Sequence, residues 1–259
     1  MGIEQNLAAD KKLVERELGR FLPQGNSRLY QAMRYSVLEG GKRFRPLLLL
    51  ASGRCFGVRC RILLPFACAL EFIHSYSLVH DDLPIMDDDD VRRGRPSCHR
   101  RFGEDIALLA GDGLLTLAFE ILSAASVPPE LEPEKQAAVR VIARSAGVEG
   151  MIGGQFLDIT VEPEGLAKKR LEEIILKKTG ALIAAAVEIG AILGRASSLE
   201  RKAISDFGRS LGLAFQIRDD LRDFRPDKSA GSAVRPDYVG LFGREKAEQR
   251  LKELVERAL

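Results

Sequence analysis

Apolar residues recur along this chain at intervals of three and four, and no stretch sustains the two-residue alternation of a half-buried strand. Leu7, Leu13, Val14, Leu18 and Phe21 mark the apolar stripe of an amphipathic first helix. The same spacing predicts helices over 27–39, 44–56, 61–82, 104–125, 134–146, 149–161, 168–177, 179–194, 198–224 and 241–258. Breakers mark their ends. Gly40-Gly41 closes one helix, Pro84 interrupts another, Gly94 to Pro96 sit in a loop, Pro128-Pro129 make a turn, and Pro226 to Pro236 form an irregular segment. Residues 62–73 and 181–194 are apolar nearly all round, as are helices at the centre of a large bundle. With no internal repeat and no long linker, the chain reads as one all-α domain over residues 1–259.

Composition changes this picture little. The 259 residues suffice for one large core, and 46 % hydrophobic against 29 % charged residues excludes intrinsic disorder. Thirty-nine basic against 37 acidic residues leave a net charge of +2, which gives no reason to expect a nucleic-acid partner. No uncharged apolar run approaches the roughly 20 residues of a membrane span. Glu4, Asp10 and Glu15 stand where a secretory signal needs an apolar run, so the chain reads as cytoplasmic. Cys55, Cys60, Cys68 and Cys98 show no CxxC pairing and read as buried thiols.

The charge is concentrated locally. Residues 81–90 read DDLPIMDDDD and are followed by Arg92, Arg93, Arg95, Arg100 and Arg101; Asp219, Asp220 and Asp223 close the stretch LGLAFQIRDDLRD. Carboxylates gathered at a helix C-terminus repel one another and oppose its dipole, so something must offset them. Asp219 and Asp223, at i and i+4, share a helix face, and Pro84 should let Asp87 return toward Asp81. Neither cluster has the ligand spacing of an EF-hand, whereas hard, oxygen-rich sets with water ligands to spare suit Mg²⁺ shared with substrate phosphates. In GGKRFRP, Lys42, Arg43 and Arg45 open a helix and supply donors for phosphate oxygens. His74 is left open between a core imidazole and a phosphate ligand; His80 and His99 read as core.

GGKRFRP at 40–46, IHSYSLVHDDLPIMDDDDVRRGRP at 73–96, LLAGDGLL at 108–115, GMIGGQFLD at 150–158, KTG at 178–180 and FQIRDDLRD at 215–223 together resemble the trans-isoprenyl diphosphate synthase (polyprenyl synthetase) family. The resemblance implies a homodimer with the isoprenoid synthase fold, a helical bundle around a deep central cavity. It further implies head-to-tail condensation of an allylic diphosphate with isopentenyl diphosphate, using two or three Mg²⁺ ions held with the substrate diphosphate. Asp81, Asp87 and Asp219 resemble the metal ligands, with Asp82, Asp220 and Asp223 in support through water. Arg92 and Lys178 resemble the allylic diphosphate contacts, and Thr179 and Gln216 line the space where the allylic cation forms. Lys42, Arg45, His74 and Arg93 resemble the isopentenyl diphosphate site. Tyr76 and Ser77, five and four residues before Asp81, resemble the floor that stops growth at fifteen carbons, so a farnesyl product is expected over a geranylgeranyl one.

After Asp223 the resemblance deteriorates. Where relatives continue with GKxxGxD and then KxTY, this chain reads FRPDKSAGSAVRPDYVGLFG, in which Lys228 and Gly231 align but Ala233 and Arg235 depart. Either Arg222, Arg225 and Lys228 rebuild the clamp over the allylic diphosphate, or activity is reduced. That departure is the one argument for a non-catalytic, regulatory member. A terpene cyclase fits worse, having no use for Lys42 and Arg45.

Overall fold

The computed structural model describes residues 3–162, 166–224 and 237–258, so Arg225, Lys228, Gly231, Ala233, Arg235 and the expected irregular segment from Pro226 to Pro236 lie outside the described residues. The described chain is all-α apart from one small hairpin, and it packs as two units whose boundary falls between Lys135 and Gln136.

The first unit contains α1 (Ile3–Phe21), α2 (Arg28–Leu38), α3 (Phe44–Cys55), α4 (Cys60–Asp81), α5 (Cys98–Phe102) and α6 (Glu104–Ala124). Its centre is α4, whose Leu63, Phe66, Leu70, Phe72 and Ile73 are fully buried, as the all-round apolar pattern requires. α6 packs along it. Gly111 permits that approach, because a Cβ there would lie 2.1 Å from His80 Nε2. On α1, Val14 and Leu18 are buried but Leu7 is exposed; the stripe is completed instead by Asp10, which is buried in an ion pair with Arg54. Between α4 and α5, the expected loop at 94–96 is part of a hairpin, β1 (Val91–Arg92) pairing antiparallel with β2 (Arg95–Pro96). Arg93 and Gly94 both take positive φ, 55° and 75°, which is what a two-residue turn between right-twisted strands demands.

α7 (Glu132–Ala146) spans the boundary; the second unit continues with α8 (Met151–Thr160), α9 (Lys168–Ile175), a π turn (Leu176–Gly180), α10 (Ala181–Leu193), α11 (Ser198–Asp223), α12 (Tyr238–Phe242) and α13 (Arg244–Ala258). A capping box starts α11: Ser197 Oγ accepts from the Glu200 amide at 3.3 Å while Glu200 accepts from the Ser197 amide at 2.7 Å. The expected last helix is divided at Gly243, with φ 83°. Leu171, Ile175, Leu213, Ile217, Tyr238, Val239 and Leu254 form a core here. Of the cysteines, Cys68 and Cys98 are buried as expected, Cys60 is partly covered, and Cys55 is exposed.

Among the described residues, α4 and α6 are long and apolar enough to cross a membrane by length and composition. α4 is mostly buried within the fold, as a core helix is, whereas α6 leaves Leu108 and Leu109 exposed.

Candidate functional site

In the first unit the glycine turn after α2 and the last turns of α4 build a buried cationic pocket. Gly40 and Gly41 take φ of 94° and 119°, which bends the chain so that Arg43 enters the interior with a left-handed φ of 54°. The Arg43 guanidinium donates to Glu71 Oε1 at 2.9 Å and to the Val37 carbonyl at 2.7 Å. Arg93 donates to the Gly40 carbonyl at 2.8 Å. A Cβ on Gly41 would lie 2.9 Å from Arg43 Nη1 and 3.2 Å from Arg93 Cζ, so only glycine passes between these two side chains.

Arg45 is buried on α3, and its Nε has no hydrogen-bond partner. Burial pushes Arg45 down to about 10 against the opposing charge of Glu71, and burial also lowers Arg93. His74 is held well below the usual imidazole range, first by burial and then by Arg45, Arg93, Arg43 and Arg92. Three arginines and an imidazole thus lie near one another, with Glu71 as their buried carboxylate and Glu15 3.8 Å from Arg43. Lys42 stays exposed, so the neighbours in GGKRFRP differ: Arg43 is buried in an ion pair with Glu71, while Arg45 is buried with its Nε unpartnered. Glu71, the counter-ion of the pocket, drew no functional assignment in the sequence, although it alone interrupts the apolar run of α4.

The first acidic motif folds back as Pro84 led us to expect. α4 ends at Asp81, and the Asp87 amide donates to the Asp81 carbonyl at 2.9 Å, which brings the backbones of these two residues together. Asp82 is 2 % exposed and grips Arg92, whose Nε lies 2.9 and 3.2 Å from its two oxygens. Burial raises the Asp82 carboxyl and the guanidinium opposes that rise. Arg92 also reaches Asp89 at 2.8 Å. Beyond the expected ligands, Asp88, Asp90 and His99 each bring one ligand atom within 4.8 Å of the others. His99 is buried, as expected, and bonds Ser97 Oγ at 3.0 Å. His80 differs from a plain core residue: it sits half-buried against α6, 3.0 Å from the Leu108 carbonyl. Tyr76 is buried, meets the His80 ring edge-on at 5.7 Å, and has no partner for its hydroxyl. Ser77 Oγ donates back to the His74 carbonyl at 3.0 Å.

In the second unit the π turn presents Lys178 and Thr179. Thr179 Oγ1 donates to Gln216 Oε1 at 3.0 Å, and Gln216 donates in turn to Asp220 Oδ1 at 2.8 Å. Asp220 also accepts the Tyr238 amide at 3.0 Å, which ties the end of α11 to the start of α12. Burial raises its carboxyl, with the Tyr238 and Gln216 donors opposing. Asp219 stays within 3.4 Å of Arg218 and 3.6 Å of Arg222, and Arg222 donates to Asp223 at 3.0 Å. Lys178 Nζ lies 2.6 Å from Asp158 on α8, a residue within a quoted motif that had drawn no assignment. Gln155, on the same helix, has both amide atoms buried without a partner.

Asp81 at the end of α4, Asp87 in the turn after it and Asp219 in the last turns of α11 offer hard carboxylate oxygens, a donor type that fits Mg²⁺. Carboxylates suit a hard cation and buried guanidinium groups suit an anion such as a phosphate. The family model described as polyprenyl synthetase matches residues 26–237. The chain is 41 % identical to the farnesyl diphosphate synthase of Geobacillus stearothermophilus, over all of this chain and 90 % of that protein. It is 39 % identical to the geranylgeranyl diphosphate synthase of Cyanophora paradoxa, over 96 % of this chain and 86 % of that one. The crystal structure of an FPP/GFPP synthase from Zymomonas mobilis superposes with a TM-score of 0.88 at 36 % identity, covering 98 % of this chain and 90 % of that one. The chain belongs to the polyprenyl synthetase family of trans-prenyltransferases.

Proposed function

We propose that this protein condenses dimethylallyl or geranyl diphosphate with isopentenyl diphosphate to give farnesyl diphosphate. The observation that carries this reading is the buried cluster in which Arg43, Arg45 and Arg93 share a single buried carboxylate, Glu71, with half-covered Glu15 at 3.8 Å from Arg43. Lys42, Arg45, His74 and Arg93 hold isopentenyl diphosphate there; Arg92 and Lys178 take the allylic diphosphate. Asp81, Asp87 and Asp219 hold the Mg²⁺ ions, with Asp223 in support; when bound, the metal neutralises charge appearing on the departing diphosphate.

The allylic carbon–oxygen bond breaks, and the electron pair leaves with the diphosphate. Thr179 and Gln216, joined by their hydrogen bond, line the space for the allylic cation and exclude water from it. The isopentenyl double bond supplies the pair for the new carbon–carbon bond, and a proton is then lost. No side chain is assigned as the base, and the departed diphosphate accepts that proton. Buried Tyr76, packed on His80, is the residue we assign to limiting the product, with Ser77 beside it.

A single domain over residues 1–259, a cytoplasmic location and a homodimer belong to the same reading. Exposed Leu108 and Leu109 on α6, and exposed Ile152, Phe156 and Ile159 on α8, are apolar surfaces that a second copy would cover. The named geranylgeranyl relative makes a twenty-carbon product the second reading. Incubating the protein with geranyl diphosphate, labelled isopentenyl diphosphate and Mg²⁺ and sizing the products decides between them. A fifteen-carbon product is expected. A twenty-carbon product would discard the role of Tyr76, and a folded protein that binds diphosphate without condensing it would support the regulatory reading.

A further inference from the structure

The π turn is held by two glycines. Gly154 on α8 lies so close that a Cβ there would sit 2.2 Å from the Lys178 backbone nitrogen and 2.6 Å from its Cα. Gly212 on α11 is as close on its own side, with a Cβ reaching 2.6 Å from the Gly180 Cα. In each case the obstacle is backbone, which no rotation of a side chain relieves. A π turn widens the helix by one residue and survives only where its neighbours accommodate it. Here α8 and α11 do so by omitting side chains.

Asp158 stands four residues after Gly154 and therefore on the same face of α8. Its side chain is 11 % exposed and receives Lys178 Nζ at 2.6 Å; the lysine side chain is 27 % exposed. Lys168 and Lys169 begin the next helix, and Lys177 within the turn pairs instead with Glu173 at 3.6 Å. Of the two adjacent lysines, only Lys178 is directed onto α8. The backbone approach that Gly154 permits is what puts Asp158 within reach of the ammonium.

We propose that Gly154 and Asp158 form a positioning unit for Lys178. Gly154 sets the spacing of α8 from the turn, and Asp158 fixes the otherwise flexible ammonium in one place before a diphosphate arrives. The inference rests on the assignment of Lys178 to the allylic diphosphate. Neither residue touches substrate in this scheme; both act through Lys178. A lysine is a point charge on a stem with many rotamers, so an anchored one binds an anion in a defined place and a free one does not.

The test is a double-mutant cycle on full-length protein, with Asp158→Asn, Lys178→Met and the double variant. The affinity for inorganic diphosphate with Mg²⁺ is read by calorimetry, and KM for each substrate is measured beside it. Asp158→Asn, which keeps the side chain's shape, is expected to weaken diphosphate binding and raise KM for the allylic substrate roughly tenfold, leaving KM for isopentenyl diphosphate unchanged. In the Lys178→Met background it is expected to do nothing further. Asp158→Glu should restore part of the loss. An equal effect in both backgrounds would show a merely structural role and overturn the proposal. Tighter diphosphate binding in Asp158→Asn would overturn it as well, by showing that the carboxylate competes with substrate for the ammonium. A wild-type protein that binds diphosphate but forms no product would defeat the proposed reaction while leaving the cycle on diphosphate affinity readable.

Discussion

Replacing Glu71 by Gln tests the cationic pocket most sharply. Glu71 is 2 % exposed, and Arg43, 1 % exposed, reaches it at 2.9 Å. The amide keeps the shape and an acceptor oxygen for Arg43 Nη1 but removes the buried negative charge. A second carboxylate, Glu15, lies 3.8 Å from Arg43 Nε and is 40 % exposed. Stripping one partner from a buried pair costs on the order of 3–5 kcal/mol. With the hydrogen bond retained, about 3 kcal/mol is expected, which lowers the thermal midpoint by roughly 6–12 °C for a chain of this size. The variant should also recover with ligand. A diphosphate bound to Arg45 and Arg93 returns negative charge to the same pocket, so it should raise the midpoint more in Glu71→Gln than in the wild type. At a hundredfold excess over Kd, binding alone contributes about 2.7 kcal/mol. Differential scanning fluorimetry with and without inorganic diphosphate measures both effects. A midpoint within 1 °C of wild type, or an identical ligand-induced rise in the two proteins, would refute the argument that Glu71 balances an anion site.

Three further outcomes follow from the same geometry. Gly41→Ala forces a Cβ to within 2.9 Å of Arg43 at a φ of 119°; a loss of about 1–3 kcal/mol is expected by chemical denaturation, with a raised KM for isopentenyl diphosphate and an unchanged one for the allylic substrate. His74 is held below its ordinary range, so on acidification the unfolded chain takes up its proton first. Stability should fall as pH drops below about 6.5, with a slope of at most about 1.4 kcal/mol per pH unit from this group, and His74→Gln should flatten that fall in denaturation curves between pH 5 and 7.5. Tyr76→Ala removes a buried ring from beside His80, and is expected to lengthen the product beyond fifteen carbons in mass spectrometry while costing about 3 kcal/mol.

The helices were legible because burying one face imposes a period, and Gly40-Gly41 and Pro84 forbid continuation. The return of Asp87 to Asp81 was legible for the same reason, since it depends only on a local break. What escaped is what depends on partners distant in the chain. Arg43 looks like its neighbours Lys42 and Arg45 until the fold brings Glu71 against it, 28 residues on. The ion pair of Asp82 with Arg92 likewise depends on the hairpin that turns Arg92 back onto it. The π turn at Leu176–Gly180 leaves no mark on the apolar period; the glycines packed against it, Gly154 and Gly212, lie on other helices. Leu7 belongs to the stripe of α1 by spacing, yet it is 41 % exposed.

The central claim is that this chain joins two isoprenoid diphosphates with loss of one diphosphate. Quantifying product and released inorganic diphosphate together, from geranyl and isopentenyl diphosphates with Mg²⁺, tests it most directly. One diphosphate is expected for each fifteen-carbon chain formed, and both should vanish with chelator or with Asp81→Asn. Diphosphate released without condensation, or no reaction in a folded protein, would contradict it.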